Sequence, residues 1–226
     1  MMTTSHGTSR AIPHEGSHES PQERFQGRRV VSVWLPRFAT DLYVRRQRTR
    51  RNPSPCKPQA PVDFNRSALA CVTEQNGHAL LVAVNRAAEV AGLQPGLPLT
   101  DARALCPHLH TTPADPNGER AALSRLSTWC GRYTPWAALD PDSYGSGAGG
   151  VWLEVTGSTH LFGGEDAMLA DLDARLSALG YTHRLGIADT PGAAWAAARF
   201  LQPLRAPVVA IPVGEIETAL APLSVA

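Results

Sequence analysis

Val30-Val31-Ser32-Val33-Trp34-Leu35-Pro36 is the first stretch of this chain in which apolar, β-branched side chains follow one another closely. Such a run, closed by a residue that has no amide hydrogen for a sheet ladder, predicts a buried strand and then a break. Before it, residues 1–28 hold Ser, His, Gly, Pro, Glu and Arg and almost no large apolar side chain, so a disordered tail is expected. After it, Phe38, Leu42 and Arg45 share one helical face. Arg45, Arg46, Arg48, Arg50 and Arg51 then form a basic helix end that runs into the proline-rich loop 52–61.

Further along, Ala68 to Thr73 and His78 to Val84 flank Asn76-Gly77, the dipeptide of a type I′ hairpin turn. Asn85 is placed to cap a short helix through Ala91, with Gly92 as its left-handed stop and Pro95-Gly96 as a further turn. Thr100 and Asp101 begin another short helix that Cys106-Pro107 ends. Asp115 as cap and Pro116 at the first position open a long helix to Arg132, with Leu123, Leu126, Trp129, Cys130 and Tyr133 on one stripe. Trp136 to Leu139 and Val151 to Val155 read as strands, and the Pro, Asp, Ser and Gly content of Asp140 to Gly150 predicts an irregular loop between them. Glu165 to Leu179 reads as a helix stopped by Gly180, Thr182 to Ala188 as a strand, Thr190-Pro191 to Phe200 as an alanine-rich helix, and Val208 to Ile211 as a short strand. Trp34, Trp129, Trp136 and Trp152 fall on faces expected to be buried.

With residues 37–110 set aside as an insertion, the order is β-α-β-β-α-β. That is the ferredoxin-like α+β arrangement, an antiparallel sheet with two helices on one face. Composition is consistent with a packed domain: 226 residues, 43% hydrophobic and 18% charged. Lysine plus arginine number 21 against 20 acidic residues, a net charge of +1, so no global field draws the chain to nucleic acid or a membrane. No apolar run approaches the roughly 20 residues a spanning helix needs, and a soluble, cytoplasmic protein is expected. Cys56, Cys71, Cys106 and Cys130 lack zinc-ligand spacing and read as free thiols, and His6, His14 and His18 lie in the tail with no metal role assigned.

Six ordered segments carry a family resemblance: Val84 to Leu97, Ala102-Arg103-Ala104-Leu105-Cys106-Pro107, Tyr133-Thr134-Pro135, Leu153 to Gly157, Leu161-Phe162-Gly163-Gly164-Glu165, and Leu185-Gly186-Ile187-Ala188. In order and spacing they resemble the fingers and palm of Y-family translesion DNA polymerases. The resemblance implies a palm whose first strand is 29–36, a fingers insertion over 37–110, palm again over 111–205, and the start of a thumb over 206–226. Thumb, little finger, clamp-binding peptide and tail would then lie outside this sequence.

In that family, carboxylates on the first strand and just before the L-D-x-T segment hold two Mg²⁺ ions roughly 3.5 to 4 Å apart. The matching positions here are Trp34, Pro36, Gly149 and Gly150, none of which ligates a hard cation. A tyrosine and an arginine that hold the triphosphate in the family correspond to Arg86 and Glu89, and a helix lysine corresponds to Pro191. Loss of these groups together resembles the catalytically silent, ImuB-like branch of the family found in bacterial mutasome cassettes. This implies a nucleoid-associated adaptor without cofactor or metal. It would bridge an ImuA-like RecA-fold protein, an error-prone DnaE-type polymerase (ImuC) and the sliding clamp, with no membrane partner.

Three other readings stand beside it. A working polymerase could draw displaced ligands from Asp140, Asp142 and Glu154. Phe162-Gly163-Gly164-Glu165-Asp166 is similar to the hairpin string of GGDEF-type nucleotide cyclases, although here it heads a helix pattern. A protein-interaction module differs from the adaptor in whether Arg45, Arg46, Arg48, Arg50 and Arg51 meet DNA phosphates, which salt-dependent DNA binding would decide.

Overall fold

A computed structural model describes residues 27–50, 63–64, 66–143, 146–201 and 207–223, with Arg50 and Asp142 described by backbone alone. The expected tail up to residue 26, the proline-rich loop 52–61 with Cys56, and Arg51 lie outside the described residues.

The opening run forms strand β1 (Val30–Leu35), central in a five-stranded sheet. It pairs antiparallel with β6 (Gly149–Glu154) on one side and β7 (Arg184–Ala188) on the other. With β5 (Ala137–Leu139) and β8 (Val208–Ala210) the sheet order is β5-β6-β1-β7-β8. Without β8 this is the strand order of the ferredoxin-like fold, and β8 extends it by pairing parallel to β7.

Alternation of side chains along a strand sends Val31, Val33 and Leu35 to one face. There they meet Phe38 and Leu42 of α1 (Phe38–Arg50), Leu123 and Leu126 of α4 (Pro116–Cys130), and Met168, Leu169, Leu172 and Leu176 of α5 (Glu165–Ala178). The caps are those the sequence predicts: Asp115 accepts a hydrogen bond from the Gly118 amide, and Thr190 from that of Ala193. Helix α4 stops at Cys130, two residues short of Arg132, because Gly131 caps it.

The two helices expected on one face, α4 and α5, are both there. The alanine-rich α6 (Pro191–Phe200) covers the opposite face, burying Ala193, Ala194, Ala197 and Ala198. A Cβ at Gly186 would meet the Ala194 carbonyl and lie 2.6 Å from the Ala198 amide nitrogen, so only glycine lets this helix sit so close. Helix α7 (Ile216–Leu220) and Ile211 complete that third layer.

A second, three-stranded sheet has the order β3-β2-β4. Strands β2 (Leu69–Gln75) and β3 (His78–Val84) form the expected hairpin, with Asn76 at φ 51° and Gly77 at φ 77°, the pair of left-handed residues a type I′ turn requires. Strand β4 (His110–Pro113), which the sequence did not suggest, runs parallel to β2. Helices α2 (Arg86–Val90) and α3 (Leu99–Leu105) pack over it through Ala88 and Ala102, with Leu93 of the connecting turn between them.

Two further expectations are corrected. Gly149 and Gly150 belong to strand β6 rather than to a loop, and Pro141–Ser143 forms a 3-10 turn. Trp136 is 71% exposed, while Trp34, Trp129 and Trp152 are half-buried. Cys71 and Cys130 are buried free thiols pushed up to about 12 by desolvation, and Cys106 is a half-buried free thiol. No described helix is long and apolar enough to cross a membrane.

Candidate functional site

The face of β1 opposite the Val31–Leu35 core carries Trp34. Register places Trp34 across from Gly150 on β6 and from Arg184 on β7. Just beyond β5, the Asp140 amide donates to the Gly150 carbonyl at 3.0 Å. Asp140, Gly150, Trp34 and Arg184 therefore form one row across four strands, beneath α6.

Arg199 of α6 reaches down into this row. Its Nη2 donates to Asp140 Oδ2 at 2.7 Å, and both side chains are nearly dry, 9% and 3% exposed. The same guanidinium lies 5.2 Å from the Trp34 ring centroid and 4.4 Å from that of Trp195. The Arg184 guanidinium lies 5.4 Å from the Trp34 ring. Cation–π attraction of this kind strengthens as water is excluded, so Trp34 organises two cations here.

The row does not suit a divalent metal, which takes several oxygen ligands. Trp34, Pro36, Gly149 and Gly150 provide no side-chain oxygen, and the carboxylate of Asp140 is engaged by Arg199. The two glycines face opposite ways: a Cβ at Gly149 would lie 2.9 Å from Phe38 Cγ and 3.2 Å from Leu123 Cδ1, inside the core. At Gly150 it would lie 2.6 Å from Asp140 Cβ, 2.7 Å from Asp140 Oδ2 and 2.7 Å from Ser143 Oγ. Of the displaced ligands considered, Glu154 stands four residues along β6 from Gly150, about 13 Å at the strand rise, and its Oε1 accepts from the Thr156 amide. Asp140 and Glu154 thus cannot share one ion, and the Asp142 side chain lies outside the described residues. Among the described residues no three His, Cys, Asp or Glu side chains gather as a metal site.

Beside the three-stranded sheet, Asn85 is the cap the sequence predicts. Its Oδ1 accepts from the Leu69 and Ala88 amides, and its Nδ2 donates to the Phe64 and Ser67 carbonyls. Arg86 is exposed at the start of α2. Glu89 is held by Arg37: Nε donates to Oε1 at 2.8 Å and Nη2 to Oε2. A two-pronged ion pair therefore joins α2 to the residue just after Pro36, bridging the small sheet and the large one. Sequence reasoning missed Arg37 because its partner lies 52 residues away.

The Gly163-Gly164-Glu165 segment is a junction between a 3-10 turn (Thr159–Phe162) and α5, not a hairpin between strands, which removes the cyclase reading. Glu165 receives both Nε and Nη2 of Arg29 at 2.7 and 2.6 Å. Arg29 Nη1 donates to Asp189 Oδ1 at 2.7 Å and to the Ile211 carbonyl at 2.9 Å. This buried clamp joins the start of β1, the head of α5 and the end of β7. The two acidic partners hold the Arg29 guanidinium above its ordinary value, although desolvation pulls the other way. The Tyr133 ring meets that of Phe162 at 5.2 Å, tilted by 35°, which ties two of the ordered motifs together, and its hydroxyl donates to Asp171 Oδ2 at 2.7 Å.

The expected basic helix end is there, since Arg45, Arg46 and Arg48 lie in the last turns of α1, but their side chains take different partners. Arg45 lies 4.3 Å over the Tyr181 ring, Arg46 pairs with Asp115 Oδ2 at 2.7 Å, and Arg48 is exposed near Gly180. All three lie on the helical side of the large sheet, away from Trp34. The Arg50 side chain and Arg51 lie outside the described residues.

Known structures place this fold among the Y-family polymerases. The insertion ternary complex of Dbh DNA polymerase superimposes with a TM-score of 0.65 at 14% identity, covering 86% of this chain and 52% of that one. The crystal structure of DinB from Sulfolobus solfataricus gives 0.58 at 16% identity over 80% and 48%. The impB/mucB/samB family model matches residues 62–199, and the chain belongs to that family. Protein ImuB from Caulobacter vibrioides, in strains NA1000 / CB15N and ATCC 19089 / CIP 103742 / CB 15, is 48% identical over 136 residues. The match covers 60% of this chain and 27% of those relatives, so the likeness concerns only a part of their length.

Proposed function

We propose that this chain is the palm and fingers of a non-catalytic, ImuB-like adaptor in DNA-damage-induced translesion synthesis. The observation that carries the reading is the Asp140–Gly150–Trp34–Arg184 row, where guanidinium groups and an indole stand in place of ion-binding carboxylates. The Arg37–Glu89 pair supports it from the fingers side, because position 89 offers no guanidinium to clamp a phosphate and its carboxylate occupies the neighbouring Arg37. In this reading Trp34, Pro36, Gly149 and Gly150 are vestigial metal positions and Arg86 and Glu89 vestigial nucleotide positions. The fingers occupy 37–110, the palm 29–36 and 111–205, and residues 206–226 lead toward a thumb. The partners are an ImuA-like RecA-fold protein, a DnaE-type polymerase and the sliding clamp, met in the cytoplasm at the nucleoid.

Calorimetric titration of the chain with Mn²⁺ and a deoxynucleoside triphosphate tests the silent site. The expected result is no saturable heat where an active Y-family palm and fingers binds both. Mutually dependent binding near the micromolar range would overturn the proposal and establish a polymerase with displaced ligands.

A further inference from the structure

Independently of the silent site, the helical side of the large sheet carries a groove of about 400 Å³, within the range of built ligand pockets. Its floor is apolar, formed by Leu42 of α1, Leu126 of α4 and Leu179 at the end of α5. Trp129 and Tyr181 wall it, and Arg45, Arg46 and Arg125 rim it. Arg45 lies 4.3 Å over the Tyr181 ring, and Arg132 lies 4.3 Å over the Trp129 ring.

The charges around the groove are unbalanced. Arg46 is matched by Asp115, whereas Arg45 and Arg125 have no carboxylate ion pair among the described residues. Asp41 on the same helix is turned inward, where its Oδ2 accepts from the Thr182 amide. Two cations, Arg45 and Arg125, held at the rim of an apolar floor call for a ligand that is acidic at its edges and apolar at its centre.

We propose that this groove docks an acidic segment of a partner protein, with a leucine or phenylalanine side chain seated on Leu42, Leu126 and Leu179 and flanking carboxylates on Arg45 and Arg125. Two features favour such a peptide over a nucleic acid backbone. Phosphates need no apolar floor, and Arg132 already covers one face of the Trp129 ring on which a base would stack.

A random peptide display library selected on the intact chain tests this, with the same selection repeated on the Arg125→Glu variant and on the Arg45→Glu/Arg125→Glu variant. Arg125 is exposed on α4, so its single replacement leaves the fold intact and keeps the test decisive if the double variant is unstable. Enriched peptides are expected to carry Asp or Glu around a Leu or Phe and to bind Arg125→Glu about tenfold or more weakly. Replacing that Leu or Phe by Ser should abolish binding. Failure to enrich acidic peptides, or equal binding by Arg125→Glu, would overturn the proposal. So would a labelled DNA duplex that competes for the groove and loses affinity with the same reversals, which would make it a phosphate-binding surface.

Discussion

Adding one methyl group at Gly150 perturbs the centre of the Asp140–Gly150–Trp34–Arg184 row. The new Cβ would stand 2.6 Å from Asp140 Cβ and 2.7 Å from Ser143 Oγ, and neither is the free end of a long side chain. Asp140 cannot swing aside, because Arg199 holds its carboxylate at 2.7 Å and its own amide is bonded to the Gly150 carbonyl. Strand β6 must therefore shift against β5, an overpacking cost of about 1–3 kcal/mol. If the shift also breaks the dry Asp140–Arg199 pair, the loss rises toward about 3–5 kcal/mol. Gly150→Ala should thus lower stability by at least about 1 kcal/mol, and Gly150→Asp by more, since a second carboxylate then competes for Arg199. Urea unfolding followed by tryptophan fluorescence measures both. A Gly150→Ala variant within about 0.5 kcal/mol of the parent would refute the claim that this position is packed shut. Gly150→Asp is also expected to gain no Mn²⁺ affinity, because Arg199 takes up the new carboxylate as it does that of Asp140; saturable Mn²⁺ binding by this variant would refute that expectation.

Other positions give separate tests. Replacing Arg29 by Met strands Glu165 and Asp189 beside each other without their shared cation and should cost about 3–5 kcal/mol in the same unfolding assay. Asn85→Ala removes a side chain that makes four hydrogen bonds to backbone and should cost about 1–3 kcal/mol, chiefly by loosening α2 and the start of β2. Glu89→Arg breaks an exposed pair, so stability should change by no more than about 1 kcal/mol, yet amide exchange in α2 should quicken; unchanged exchange would show that the bridge to Arg37 carries no restraint. Burial pushes the Asp41 carboxyl up to about 6 despite the Thr182 amide. The folded state then keeps a proton the unfolded chain releases, so this group makes stability fall as pH rises from roughly 4 to 6. Asp41→Asn should remove that fall, seen as a stability difference that grows in the variant's favour across the window and is flat above it. A difference constant with pH would refute the assignment.

Much of the local structure was legible in the chain itself. The β-branched run from Val30, the Asn76-Gly77 turn, and the caps at Asn85, Asp115 and Thr190 each act through neighbours a few residues away, so short-range sterics and hydrogen bonding suffice to read them. The ordered motifs pointed to the Y-family fold, and the absence of carboxylates at positions 34, 36, 149 and 150 is a plain fact of the sequence. The partners of the charged groups around those positions were not legible. Arg199 finds Asp140 across 59 residues and Arg37 finds Glu89 across 52, and no local rule pairs charges over such distances. The alanines of α6 read as an ordinary helix until Gly186 opened the sheet for them, and Trp136, apolar by composition, lies exposed at a sheet edge. Periodicity and capping depend on covalent neighbours and so belong to the sequence. Which charges meet, and which face of a strand is dry, depends on how layers stack, and only the tertiary structure decides that.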